Sequence, residues 1–299
     1  MPIGKLKYAI TNFLAGDLVY IYSSTGDVLY NIEKLINVRP SYPFRFDGLG
    51  VAPGEVPEWI CADLGEQKTP TFTAIFNHNF GDSIDTFKIQ ACDDDCWQSG
   101  GWQSGAMAGL CDWDYDAGVG PDWELNLTDR LLADFNNAYR CFTPDKAYQH
   151  WRWPFIDNDG IPAAFLEIGE LFLGEWQELA NAHLQPGRQD GPEFFEATQI
   201  TDYGQIWDSH YSEAEHFEIE IINKNDPAQV SELRLFLSAV KQAGGKFVFI
   251  PDDHYKFCYY VYLRNMTDFG QQIMKGECGE VYSWKLSLRT LIKGVSLLG

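Results

Sequence analysis

Basic residues are scarce in this chain: 22 Lys and Arg stand against 43 Asp and Glu in 299 residues, a formal charge of −21. A surface of that sign repels phosphate backbones and anionic lipid, which disfavours nucleic acid as a partner and leaves divalent cations or a basic neighbour as charge partners. No apolar run approaches the roughly 20 residues needed to span a bilayer, so membrane insertion is not expected. The opening Met1-Pro2-Ile3-Gly4 carries no basic-then-apolar leader, and the seven cysteines are an odd number. Together these predict folding in a reducing cytoplasm with buried free thiols. Cys92, Cys96 and Cys111 lack a fourth ligand at zinc spacing. Catalytic signatures are missing too. The histidines at 78, 150, 183, 210, 216 and 254 form no H-E-x-x-H, and there is no G-x-S-x-G elbow, P-loop or G-x-G-x-x-G after a strand. A non-enzymatic protein without an organic cofactor is the expectation.

What is abundant points to sheet. Apolar residues make up 45% of the chain and aromatics 15%, with 15 Tyr, 20 Phe and 10 Trp, residue types that fit a pleated, half-buried surface. Asp17 to Tyr22 reads as a strand ending in the turn cluster Ser23 to Asp27, after which Val28-Leu29-Tyr30 resumes. Pro40, Pro43, Pro53 and Pro57 forbid a long helix or central strand between about 39 and 58. Trp59 to Gly65, Thr71 to Phe76 and Thr86 to Gln90 follow as short strands spaced by turns, the rhythm of a sandwich rather than a βαβ sheet. Residues 91–126, dense in Asp, Gly and Trp, read as a long insertion. Thr128 to Tyr139 is expected to hold a short helix; Tyr148 to Trp153 and Phe165 to Gly174 supply further strands.

Character changes after Gly174. Trp176 to Asp202 reads as linker and loop, broken by Pro186, Gly187, Gly191 and Pro192. His216 to Ile222 alternates as a strand, and Asn225-Asp226-Pro227 opens a helix with Asp226 as N-cap. Val230, Leu233, Phe236, Leu237 and Val240 share its apolar face until Gly244-Gly245 stops it. Strands are expected at Lys246 to Ile250, Tyr259 to Leu263 and Val281 to Leu288.

Two features of the insertion carry chemistry. Asp112, Asp114 and Asp116 alternate as calcium-loop carboxylates do, but Gly118 stands one place late and no closing Glu follows, so a solvated acidic loop explains them as well. Trp97, Trp102, Trp113 and Trp123 sit in the same segment. Trp102 and Trp113 are candidates for stacking on sugar rings, while packing of the loop onto the sandwich is the favoured account of large aromatics there.

Trp59-Ile60-Cys61-Ala62-Asp63-Leu64-Gly65, followed by Ile75-Phe76-Asn77-His78-Asn79-Phe80, resembles the W-x-x-x-D-L-G … N-H-N pattern of galactose-binding-like (discoidin-type) jelly rolls. Arg39-Pro40-Ser41 with Phe44-Arg45 matches the usual lead-in. Trp151-Arg152 and Glu167 to Gly174 resemble the closing strands, which read E-I-G-R-L-F-L-G in phage virion proteins; Glu170 stands here in place of the Arg. Residues 216–292 resemble, in pattern more than in letters, the tail-tube and distal-tail barrel of phages. The resemblance implies a mostly β chain: a jelly-roll β-sandwich over 1–175, then a β-barrel-like domain carrying one helix over 176–299. It implies a structural component of a bacteriophage tail or baseplate, assembled in the host cytoplasm into the virion as a ring-like homo-oligomer beside other tail proteins. The alternative is a carbohydrate-binding adhesin that recognises host surface glycans, with structural calcium as the one metal the family sometimes holds.

Overall fold

The computed structural model describes residues 7–23, 29, 31–37, 43–46, 58–78, 86–87, 89–92, 115–116, 137–156, 166–179, 190–200, 206–224, 227–250, 258–264, 272–276 and 279–291. The chain divides into two compact units, Thr11–Trp176, and Met1–Ile10 together with Gln177–Gly299. The fold is mostly β.

A first strand, β1 (Lys7–Ala9), belongs to the second unit. The Thr11–Trp176 unit then contributes β2 (Tyr20–Ser23), β3 (Phe44–Arg45), β4 (Glu58–Lys68), β5 (Phe72–Phe76), β6 (Thr86–Phe87) and β7 (Gln90–Cys92). It continues with β8 (Tyr115–Asp116), β9 (Ala138–Cys141), β10 (Tyr148–Ile156), β11 (Glu167–Ile168) and β12 (Glu170–Gly174). One sheet runs β2-β4-β10-β7-β8 with β6 also on β10, a second runs β12-β5-β9, and β11 pairs β3. The two main sheets face each other across one core. Alternation decides which side chains enter it: Ile60, Ala62 and Leu64 from β4 and Trp151, Trp153 and Phe155 from β10 meet Ile75 of β5 and Leu171 and Leu173 of β12. Every residue of β5 and β12 is buried, the polar Thr73 and Glu170 included, which explains why these strands read as mainly apolar rather than alternating. This is a jelly-roll β-sandwich.

Asn12 fastens the start of this unit to β12. Its Nδ2 donates to the Leu171 carbonyl at 2.9 Å, and its Oδ1 accepts from Leu173 N at 3.1 Å and from Leu14 N at 3.1 Å. Expected and observed elements differ at one point: Ala138 and Tyr139, placed in a helix by sequence, open β9 instead. Their pairing with Ile75 and Ala74 in a buried sheet outweighs local propensity.

The second unit adds β13 (Gln177–Glu178), β14 (Asp190–Ile200), β15 (Ile206–Lys224), α1 (Pro227–Gln242), β16 (Lys246–Ile250), β17 (Tyr259–Leu263), β18 (Gln272–Gly276) and β19 (Gly279–Thr290). Its sheet runs β13-β1-β16-β17-β19-β15-β14, with β18 on β19. Among the described residues the ends of this path do not pair, so the sheet is open rather than a closed barrel. Leu233, Phe236 and Val240 of α1 are buried, and Phe236 meets Phe247 edge-on at 5.5 Å and Tyr8 at 4.5 Å. Gly245 N donates to Val240 O at 2.8 Å, and Gly244 and Gly245 take φ of 68° and 83°, the left-handed exit that glycine permits.

Two further differences from the sequence reading concern this unit. The stretch read as a linker contains β13 and β14. Among the described residues β14 is the edge of the sheet, paired on one side only, which is where a proline such as Pro192 is tolerated in a strand. The N-terminal residues, adjacent in sequence to the sandwich, group instead with Gln177–Gly299, since Tyr8 pairs Phe249 on one side and Gln177 on the other.

Candidate functional site

The outer face of the six-stranded sheet, along β2, β4 and β10, carries an aromatic and polar platform. It follows from the same alternation that fills the core. With Val19 and Ile21 packed inward, Leu18, Tyr20 and Tyr22 point outward and are 70%, 59% and 39% exposed. Tyr20 and Tyr22 lie two residues apart on an edge strand, about 6.7 Å along it.

Register then places polar groups beside them. Tyr20 stands opposite Asp63, Asp63 opposite His150, and His150 opposite Cys92. The next row runs Tyr22, Cys61, Arg152, Gln90 and Asp116. The register of β10 against β4 shifts between Tyr148 and His150, where the extra residues lie on β4, and Gln149 reaches Asp63 there. Gln149 Nε2 donates to Asp63 Oδ1 at 2.9 Å, and Gly65 N donates to the same oxygen at 2.8 Å. Gly65 itself has φ +71°, and a Cβ there would lie 2.9 Å from the Leu18 carbonyl oxygen. Only glycine fits. Arg152 Nε donates to Gln90 Oε1 at 3.0 Å. Burial, then the charge of Asp63 and the neighbouring Tyr20, push the Tyr22 phenol above its ordinary value.

Asp63, His150 and Cys92 are the residue types of an orienting acid, base and nucleophile in one row. Their geometry does not fit that work. His150 Nε2 lies 3.7 Å from Asp63 Oδ2, and His150 and Cys92 are only 3% and 1% exposed. A platform with exposed phenol faces, a partly open carboxylate and an amide instead suits recognition: rings for apolar C–H surfaces, and polar groups for hydroxyls or amines.

Of the residues singled out from sequence, Trp102, Trp113, Asp112 and Asp114 lie outside the described residues. Asp116 falls in β8, its backbone opposite Gln90 at the far edge of the same sheet from β2. Among the described residues no three His, Cys, Asp or Glu side chains converge on a metal position, and no helix is long and apolar enough to cross a membrane. Sequence reasoning missed Tyr20, Tyr22, Asp63 and Gln149 as a group. The available signal was the alternation Leu18, Tyr20, Tyr22, whose outward face is as apolar as its inward one.

No protein-family model matches the chain. No curated protein matches it. Solved structures do. The module CpGH89CBM32-6 produced by Clostridium perfringens is 13% identical, with 55% of this chain and 98% of that one covered and a TM-score of 0.36. The family 32 carbohydrate-binding module of C. perfringens NanJ, in complex with galactose, is 13% identical over 57% of this chain and 99% of that one, with a TM-score of 0.34. The same family's module of AlyQ, in complex with 4,5-unsaturated mannuronic acid, is 19% identical over 52% and 95%, with a TM-score of 0.31.

Proposed function

We propose that this chain is a non-catalytic carbohydrate-binding protein whose sandwich unit engages glycans, host surface glycans among them. The observation that carries the reading is the pair of exposed phenols, Tyr20 and Tyr22, set against the partly open Asp63 carboxylate. Aromatic faces cover the C–H side of a pyranose while a fixed carboxylate and amide take its hydroxyls. The expectations from sequence that Trp102 and Trp113 stack on sugar rings and that Asp112, Asp114 and Asp116 hold calcium belong to this reading. The experiment is a glycan array followed by calorimetry on the hits. Tyr20→Ala and Tyr22→Ala are each expected to weaken binding by about 1–2 kcal/mol, roughly 5- to 30-fold. Binding that is absent across the array, or indifferent to both substitutions, overturns the reading.

A second reading keeps the chain as a virion component, a ring protein of a phage tail or baseplate. It is favoured by one observation. Among the described residues, β15 from Ile206 to Glu215 pairs only with β14, because the ladder to β19 begins at His216. A two-stranded ribbon is marginal alone, and its open edges suit strand pairing between subunits. A strictly monomeric chain at high concentration, absent from particles, counts against this reading.

A further inference from the structure

We propose that the platform beside β2 selects pyranose units carrying a protonated amine and discriminates against units carrying a carboxylate. The inference rests on the saccharide reading of the same face. Asp63 supplies the selectivity. Its Oδ1 is held by Gly65 N at 2.8 Å and Gln149 Nε2 at 2.9 Å, which fixes the side chain. Its Oδ2 has no hydrogen bond among the described residues, the nearest imidazole nitrogen, His150 Nε2, being 3.7 Å away. The side chain keeps 18% of its surface open.

Position completes the argument. Tyr20 is directly opposite Asp63, so a ring stacked on that phenol puts its substituents within about one strand spacing, ~4.8 Å, of the carboxylate. An ammonium there forms a charge-assisted hydrogen bond; a hydroxyl forms an ordinary one; a carboxylate meets like charge. The platform's guanidinium, Arg152, is bonded to Gln90 and stands two strands from Tyr22, roughly 10 Å away. At longer range the net charge of −21 opposes polyanions.

The test uses the full chain and three short oligomers: glucosamine, N-acetylglucosamine and mannuronate, at a mildly acidic pH that keeps the sugar amine protonated. The glucosamine oligomer is expected to bind about tenfold more tightly than its acetylated counterpart, with mannuronate weakest. That preference shrinks with added salt. Asp63→Asn brings the ratio of the first two affinities close to one, and Asp63→Glu, which keeps the charge, retains a preference; thermal melting verifies that both variants are folded. Equal binding of the first two oligomers by the unaltered chain, or tightest binding of mannuronate, overturns the inference while leaving a saccharide site intact. A linear polyamine that binds as tightly as the glucosamine oligomer also overturns it, since charge alone then suffices. Failure of all three oligomers, together with an empty glycan array, is the separate failure of the saccharide reading.

Discussion

The indole Nε1 of Trp153 donates to the hydroxyl of Thr73 at 3.0 Å, joining the two sheets of the sandwich through the middle of its core. Both residues are fully buried, and the same hydroxyl donates to the Phe172 carbonyl at 2.9 Å. Thr73 is thus the polar hinge of an otherwise apolar layer. Thr73→Val keeps the shape but orphans the indole N–H, and is expected to cost about 1–3 kcal/mol in chemical denaturation. Trp153→Phe in the same background removes the orphan. The double variant should therefore lose less than the sum of the two single ones, which a double-mutant cycle measures.

Gly65 and Gly244 separate strain from collision. Both have positive φ, +71° and +68°, but a Cβ at Gly65 meets Leu18 O at 2.9 Å whereas nothing lies within 4 Å of one at Gly244. Gly244→Ala is expected to cost about 1–2 kcal/mol, the left-handed backbone alone. Gly65→Ala should cost more and, on the proposed saccharide reading, also weaken sugar binding, because the Asp63 carboxylate is anchored on Gly65 N. Equal costs would show that the β2 edge yields freely.

Asn12 carries three hydrogen bonds with one side chain, two of them to the backbone of β12. Asn12→Ala leaves the Leu171 carbonyl and Leu173 amide without their partner and is expected to cost about 2–4 kcal/mol. Asn12→Asp keeps the acceptor but turns a carboxylate toward a carbonyl oxygen. It should be no better than Ala. Urea unfolding monitored by tryptophan fluorescence distinguishes the two.

Alkaline pH should loosen the second unit through Tyr8. Burial first, then the charge of Glu232, push its phenol up from 10.0 to about 12, and its hydroxyl donates to Gln177 Oε1 at 2.8 Å. Between those values the unfolded chain releases the proton while the folded one keeps it. Stability is therefore intact below pH 10 and declines as pH rises toward 12. Melting temperature against pH reads this, and Tyr8→Phe should flatten the part of the decline that this phenol causes.

Much of the architecture was legible in local pattern. The apolar runs at β5, β12, β16 and β17 announced strands, and Pro227 with Gly244-Gly245 bracketed α1 because each residue fits one backbone conformation there. What escaped was set by pairing at long range. Nothing in Lys7-Tyr8-Ala9 names β16 as its neighbour, 240 residues on. β14 was hidden by Pro192, a residue that is forbidden in a central strand and harmless at an edge. The platform was illegible for the same reason. Tyr20, Asp63 and His150 are far apart in sequence, and only the register of β2, β4 and β10 puts them in one row. Gln149 joins them only where the register of β4 against β10 shifts.

The placement of β1 bears on how this molecule can be taken apart. A fragment starting at Gln177 would lack an interior strand and bare the flank of β16, inviting clumping. Cutting out residues 11–176 is gentler. Tyr8 already sits opposite Gln177 and Lys7 opposite Glu178, so a tight reverse turn spliced between Ile10 and Gln177 would complete a hairpin and leave a freestanding scaffold onto which other modules can be grafted.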